Sequence, residues 1–257
     1  AGAAYALRDD MALVLAVARG FRSPWYNELF ANGFHEGTRA FERGNPSLQL
    51  ETSLNVDVGV RVRQRSFTLD AGLYSNQVQH YIYLRPFGTS GRVFDSLEVV
   101  QGNAWLRGGE ISATVLPVRW LTLDAGADLT IGDNRSAGIP LTFVPPARAT
   151  WGVRLSDARS AMMRRVFGES AVPYLRLSGE THARQTRLDP IDIAPPGYSL
   201  WHVSGGVALA TARGPLHVDV VVRNLGDARY RPFLSRYKEF ADALGRSVQL
   251  RFSVGHL

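Results

Sequence analysis

Apolar and polar residues alternate along most of this chain. Leu54, Val56, Val58, Val60 and Val62 are separated by Asn55, Asp57, Gly59 and Arg61. That is the period of two with which side chains leave a β-strand. The rhythm returns at 67–83, 101–116, 121–131, 147–155, 174–184, 201–209, 216–223 and 247–254, and a short apolar run at 11–18 precedes them all. The pattern predicts an all-β, antiparallel chain of about ten strands. The stretch 157–171, with Met162, Met163 and Val166 among arginines, reads as a short amphipathic helix or an elaborated turn.

The connections alternate as the side chains do. Short turns fall near Gln64, Pro117 and Arg213, and long loops at 22–50, 85–97, 132–146, 187–197 and 225–245. Only 157–171 breaks the rule. Short turns on one side and long loops on the other are the architecture of an outer-membrane β-barrel, with periplasmic turns and external loops. Alternation by itself also suits a soluble sandwich, so strand length carries the choice. Strands of about ten residues match a tilted span of the bilayer, and globular strands average about half that. Tyr81, Tyr83, Trp105, Trp120, Trp151 and Trp201 lie near strand ends, where barrels carry aromatic girdles. On this reading the aliphatic side meets lipid. The other side, with Asp57, Arg61, Asp70, Glu110, Asp124, Asp128, Arg148, Arg154, Arg176, Glu180, Asp219, Arg223 and Arg251, forms a mixed-charge inner face suited to cross-strand pairing.

Composition narrows the choice further. No run of 18 apolar residues could form a membrane helix, which leaves barrel strands untouched as an option. The absence of cysteine removes disulfides, zinc fingers and thiol catalysis. The net charge of +6 is carried almost wholly by arginines, Lys238 being the only lysine. Those arginines are scattered and matched by acids, so nucleic acid is not an expected partner. Residues 1–10 lack the charged start and apolar run of a signal peptide.

The stretch 21–51 is too polar for a core and too long for mere connection, so it reads as a functional loop. It also carries motifs. Arg22-Ser23-Pro24, Asn27-Glu28-Leu29, Gly44-Asn45-Pro46-Ser47-Leu48 and Glu51-Thr52-Ser53 occur in this order. Together they resemble a run found in TonB-dependent outer-membrane receptors. Arg107-Gly108-Gly109-Glu110 is similar to the Arg-Gly-x-Glu of that family, and Pro196-Gly197-Tyr198-Ser199-Leu200 to its Pro-Gly-Tyr-x-Leu. Asn224-Leu225-Gly226-Asp227-Ala228-Arg229-Tyr230 is similar to its Asn-Leu-x-Asp-x-x-Tyr. The chain departs from the family at its last residue, Leu257, where an aromatic is typical.

The resemblance implies a partial transmembrane barrel: about ten strands of the 22 that surround a plugged lumen. Residues 1–257 would be the C-terminal portion, without the N-terminal plug and first strands, and 21–51 a long external loop. It further implies a Gram-negative outer-membrane location and lipid contact. The other expected partners are the chain's own plug, which Glu110 would touch, the TonB complex through the missing N-terminal region, and a small nutrient. The expected function is TonB-energised import of a scarce metal ion, metal chelate, siderophore or haem. Two other readings remain open from the residues alone: a passive porin-like or structural barrel, and a soluble β-rich binding module.

His35 and Glu36, with Asn32-Gly33 upstream and Phe41-Glu42 downstream, are the sharpest candidate for chemistry. Imidazole beside carboxylate offers borderline ligands for a transition metal, and the loop resembles that of the zinc- and haem-uptake branch. Trp25, Tyr26 and Phe34 could stack on an iron chelate or porphyrin. His80 and His182, with His202 and His217, fall on the polar face by alternation and could line the lumen. No nucleophile elbow or phosphate-binding loop is present, so no enzyme activity is expected. No resident cofactor is expected either, zinc, iron chelate or haem being cargo.

Overall fold

The alternating segments form strands because each offers one aliphatic and one polar side to a pleated sheet. In the computed structural model residues 1–37, 40–87, 96–156, 165, 171–190, 192–211 and 214–254 are described. The long strands are β1 (Gly2–Arg8), β2 (Met11–Arg22), β5 (Glu51–Arg63), β6 (Phe67–Pro86), β7 (Ser96–Val118) and β8 (Leu121–Asn134). They continue with β10 (Arg148–Ser156), β11 (Val172–His182), β12 (Tyr198–Thr211), β13 (Gly214–Arg223) and β14 (Ser247–Val254). Each pairs antiparallel with the next in the order β1-β2-β5-β6-β7-β8-β10-β11-β12-β13-β14. Within the loops lie α1 (Tyr26–Phe30), β3 (Asn32–His35), β4 (Ala40–Arg43) and β9 (Ile139–Pro140). The sheet is not closed: β1 and β14 each have one neighbour.

Register makes the two faces explicit. One row across the sheet reads Leu15, Val58, Leu73, Gly109, Leu129, and the row beside it Ala16, Asp57, Tyr74, Gly108, Thr130. The aliphatic side chains do not meet in an interior: Leu73 is 70% exposed and Val58 52%. Burying one such side chain stabilises by about 1.5–3 kcal/mol, so a face of them left in water would be strongly unfavourable. No helix among the described residues is long and apolar enough to cross a membrane, which says nothing of strands.

On the polar face, long side chains reach over glycines to the second strand along. Arg176 on β11 lies across Gly152 to pair with both carboxylate oxygens of Asp124 on β8, at 2.6 and 2.8 Å. A Cβ at Gly152 would meet the Arg176 guanidinium at 2.2 Å. Tyr74 crosses Gly108 in the same way to reach Thr130 Oγ1 at 2.6 Å, and Tyr174 crosses Gly206 to donate to Asp219 at 2.7 Å. These ties brace the wall without filling it.

Several expectations change. β1 was not visible in the pattern, because GAAYALR places small apolar residues on both faces. It makes a hairpin with β2 through Asp9 and Asp10. Asp10 there accepts from Gln64 and Arg8, which in that order hold its carboxyl below the usual range. Pro117 does not form the turn before β8; β7 runs to Val118, and Pro117 sits in a register irregularity that spares the missing N–H. A bulge between Val78 and Tyr81 reverses the alternation at the upper end of β6. Tyr81 therefore packs against the small core of Val78, Ala104, Leu141 and Val144 instead of joining a girdle. The stretch 157–171 lies, apart from Arg165 and Ala171, outside the described residues.

Candidate functional site

Five connections lie at the end of the sheet where the loops are long, and the 23–50 loop is anchored most heavily. Arg22 donates to Glu28 at 2.9 and 3.0 Å and to Glu51 at 3.1 Å. Glu28 also accepts the Trp25 backbone N–H at 2.7 Å, closing the first turn of α1, and Glu51 accepts the Ile82 N–H at 3.0 Å. One guanidinium thus ties the end of β2 to the loop helix and to the start of β5. Gly44 lies so close to the end of α1 that a Cβ would meet the Leu29 carbonyl carbon at 2.6 Å. The Gly44 and Asn45 N–H groups donate to Ala31 and Glu28 carbonyls at 2.7 and 2.8 Å. Asn45 Oδ1 in turn accepts from the Ser47 backbone and hydroxyl. Pro24 and Leu29 are half-buried, whereas Asn27 and Pro46 are exposed. The motif residues build the loop.

What the loop presents is aromatic. Trp25 is 66% exposed, Tyr26 76% and Phe34 50%, with the Tyr26 ring 5.2 Å from that of Phe30. The β3–β4 hairpin pairs Phe34 with Phe41 and His35 with Ala40, and β4 docks in parallel on the upper end of β7. Arg43 and Arg85 close on Glu98 there, each at 2.6 Å. His35 Nδ1 faces Glu42 Oε1 at 3.3 Å, across the hairpin. Glu36 is exposed beside it. Among the described residues no group of three His, Asp or Glu side chains is placed to hold a metal ion.

His80 stands in the β6 bulge with a φ of 54° and its Nδ1 3.3 Å from the Leu50 carbonyl. Gln101 ties this point to the loop, donating to the His80 and Gln49 carbonyls. His182 belongs to a separate group on the polar face. Glu180 lies 3.2 Å from His182 Nε2 and 3.6 Å from His202 Nε2. His202 Nδ1 accepts the Asn224 N–H at 3.2 Å, so its remaining proton is on Nε2, facing the carboxylate. The His182 ring stacks on Tyr198 at 4.6 Å, and the Tyr230 ring lies tilted against Tyr198 at the same distance. Trp25, Tyr26, Phe34 and His35 thus share one loop, while His80 and His182 sit elsewhere.

Asn224 and Asp227 shape the neighbouring turn. Both have positive φ, which their short polar side chains tolerate. Asn224 brackets Ala228 with two side-chain bonds at 2.8 and 2.9 Å, and Asp227 accepts the Arg246 N–H at 2.7 Å. Leu225 N–H donates to the Trp201 carbonyl. Glu110 is exposed on the polar face, as alternation placed it. The residues that sequence reasoning did not bring together are Asp192 and Lys238, a nearly fully buried ion pair. Asp192 Oδ2 also faces the Phe143 N–H at 3.3 Å. Its only sequence signal was that Lys238 had no second lysine beside it.

A family model described as "TonB dependent receptor-like, beta-barrel" matches residues 1–225. This chain belongs to the TonB-dependent receptor β-barrel family. No curated protein matches its sequence. Among solved structures it is similar to the copper transporter OprC, at 19% identity and a TM-score of 0.79, covering 96% of this chain and 37% of that one. It is also similar to the siderophore receptor PirA from Pseudomonas aeruginosa, at 18% identity and a TM-score of 0.62, over 98% of this chain and 41% of that one. The FrpB iron transporter from Neisseria meningitidis aligns at 15% identity and a TM-score of 0.66, over 97% and 37%. At these identities the likeness is one of fold. The chain spans about two-fifths of each, so the open sheet is a partial TonB-dependent receptor barrel, with long external loops and short periplasmic turns.

Proposed function

We propose that this barrel is the wall of a TonB-dependent outer-membrane receptor that binds a scarce metal, metal chelate or haem at its external mouth and imports it. The supporting observation is the contrast within loop 23–50: a scaffold fixed at both ends by Arg22 presents Trp25, Tyr26 and Phe34 largely uncovered. Large aromatics held in water on a rigid loop form a pre-organised surface, and a ligand that covers them gains without ordering the loop. A flat chelate or porphyrin fits such rings, and His35, which faces Glu42, would offer an imidazole to the metal it carries. His182, Glu180 and His202 would meet the cargo next, on the polar face.

Binding would shift a gating equilibrium of a plug that the TonB complex draws on for energy; no covalent chemistry is involved. The similar solved structures, a copper transporter, an iron transporter and a siderophore receptor, agree with this class of cargo.

Growth of a deletion strain with zinc, haem or an iron chelate as the limiting nutrient tests the proposal. The intact receptor should restore growth on one of the three, and Trp25→Ala/Tyr26→Ala should raise the concentration needed by about tenfold or more, the loss of two aromatic contacts. Growth that is independent of the receptor on all three overturns it.

A further inference from the structure

We propose that the lipid-facing side of β7 and β8 carries a specific site for an anionic phospholipid, with a cationic cluster for the net-negative headgroup and a groove beneath it for an acyl chain. The register fixes the face. Trp105, Arg107 and Gly109 share one side of β7, and Leu129 and Asp133 lie on the same side of β8. This is the side of the exposed Leu73.

Two guanidinium groups close on a single carboxylate here, and a third lies over the neighbouring tryptophan ring. Arg107 pairs with Asp133 at 2.8 Å, and Arg187, from the loop after β11, pairs with its other oxygen. Arg107 also lies over the Trp105 ring at 4.1 Å, and Arg135 over the same ring at 5.5 Å. The ring is itself fixed by an indole N–H bond to Ser75 at 2.8 Å. One carboxylate neutralises one cation, which leaves two in excess. Arg135 has no acidic partner among the described residues. Arg19 stands in the same row, through Leu54 and Gln77 to Trp105, and is exposed without an acidic partner among those residues.

Cations and a tryptophan at one level above an aliphatic band suit an anionic headgroup, since guanidinium forks match phosphate oxygens. What distinguishes a bound lipid from a free anion is the surface directly below. There the band opens into a groove of about 760 Å³, with small Gly109, Ala127 and Ala149 between the larger Leu73, Ile111 and Leu129. Gly109 is two residues, about 7 Å along the strand, from Arg107. A free phosphate would have no use for that groove; an acyl chain fills it.

The test uses the intact receptor, delipidated in a neutral detergent and titrated with palmitoyl-oleoyl phosphatidylglycerol or with phosphatidylcholine of the same chains, bound lipid being counted by native mass spectrometry. Phosphatidylglycerol should be retained in preference. Arg135→Gln/Arg187→Gln should weaken it by about fivefold for each arginine removed and leave phosphatidylcholine unchanged. Arg135→Gln alone, which touches no ion pair, should give about one such factor. Ala127→Trp, which fills the groove and removes no charge, should lower binding of both lipids. Equal retention of the two lipids by the unaltered receptor overturns the site, as does binding insensitive to the arginine changes. Displacement by inorganic phosphate with Ala127→Trp without effect would reduce it to a free-anion site and overturn the lipid assignment.

Discussion

Lys238 shows what a single residue can do in this molecule. Its ammonium lies against the Phe233 ring at 3.9 Å and pairs with Asp192, both side chains being nearly inaccessible. Asp192 also accepts the Ile193 N–H at 2.9 Å and faces the Phe143 N–H, so three external loops meet at one carboxylate. Taking away one partner of a buried pair leaves an uncompensated charge, and Lys238→Met should cost these loops about 3–5 kcal/mol. Hydrogen exchange of residues 141–144 and 192–197 reads the loss, and the double change Lys238→Met/Asp192→Leu should recover much of it. Protection unchanged in the single variant would contradict the pairing. None of this was legible in the sequence, where a lone lysine in a polar loop looks solvated. The partner of His35 was hidden for a related reason: adjacency suggested Glu36, whereas a hairpin sets residues diagonally across its two strands, and Glu42 arrives there.

At the scale of elements, alternation was a good guide wherever the two sides of a strand differ in chemistry. It located every long strand from β2 onward, and failed at β1, where alanines occupy both sides. It also failed above the β6 bulge, because one extra residue exchanges the faces without any change in composition. Motifs behaved differently. Arg22, Glu28, Gly44, Asn45, Glu51, Asn224 and Asp227 were recognisable in the sequence, yet their roles as clamps and turn formers became visible only with their partners. Glycine on the polar face carried a hidden instruction as well. Gly152 leaves the opening through which Arg176 reaches Asp124. Gly152→Val should expel that guanidinium and destabilise the β8–β10–β11 wall by about 1–3 kcal/mol, seen as a lower midpoint in denaturant. Gly59→Ala, where the nearest atom is a backbone oxygen at 3.1 Å and no side chain crosses, should have a smaller effect. Equal effects at the two positions would remove the bracing role assigned to the crossing arginine.

For the whole molecule, everything rests on which face meets lipid. The row Leu15, Val58, Leu73, Leu129 and the row Asp57, Tyr74, Thr130 differ by one residue along each strand, so the two solvents are separated by a single peptide step. These 257 residues contain no cysteine, so a single introduced thiol is the one labelling site within them. Spin labels at Leu73→Cys and Leu129→Cys, and at their neighbours Tyr74→Cys and Thr130→Cys, measured in bilayers against lipid-soluble oxygen and a water-soluble nickel chelate, address the assignment directly. The expected result is oxygen contact high at Leu73 and Leu129 and chelate contact confined to Tyr74 and Thr130. Chelate reaching Leu73 and Leu129 as readily as Tyr74 and Thr130 would contradict a lipid-facing band.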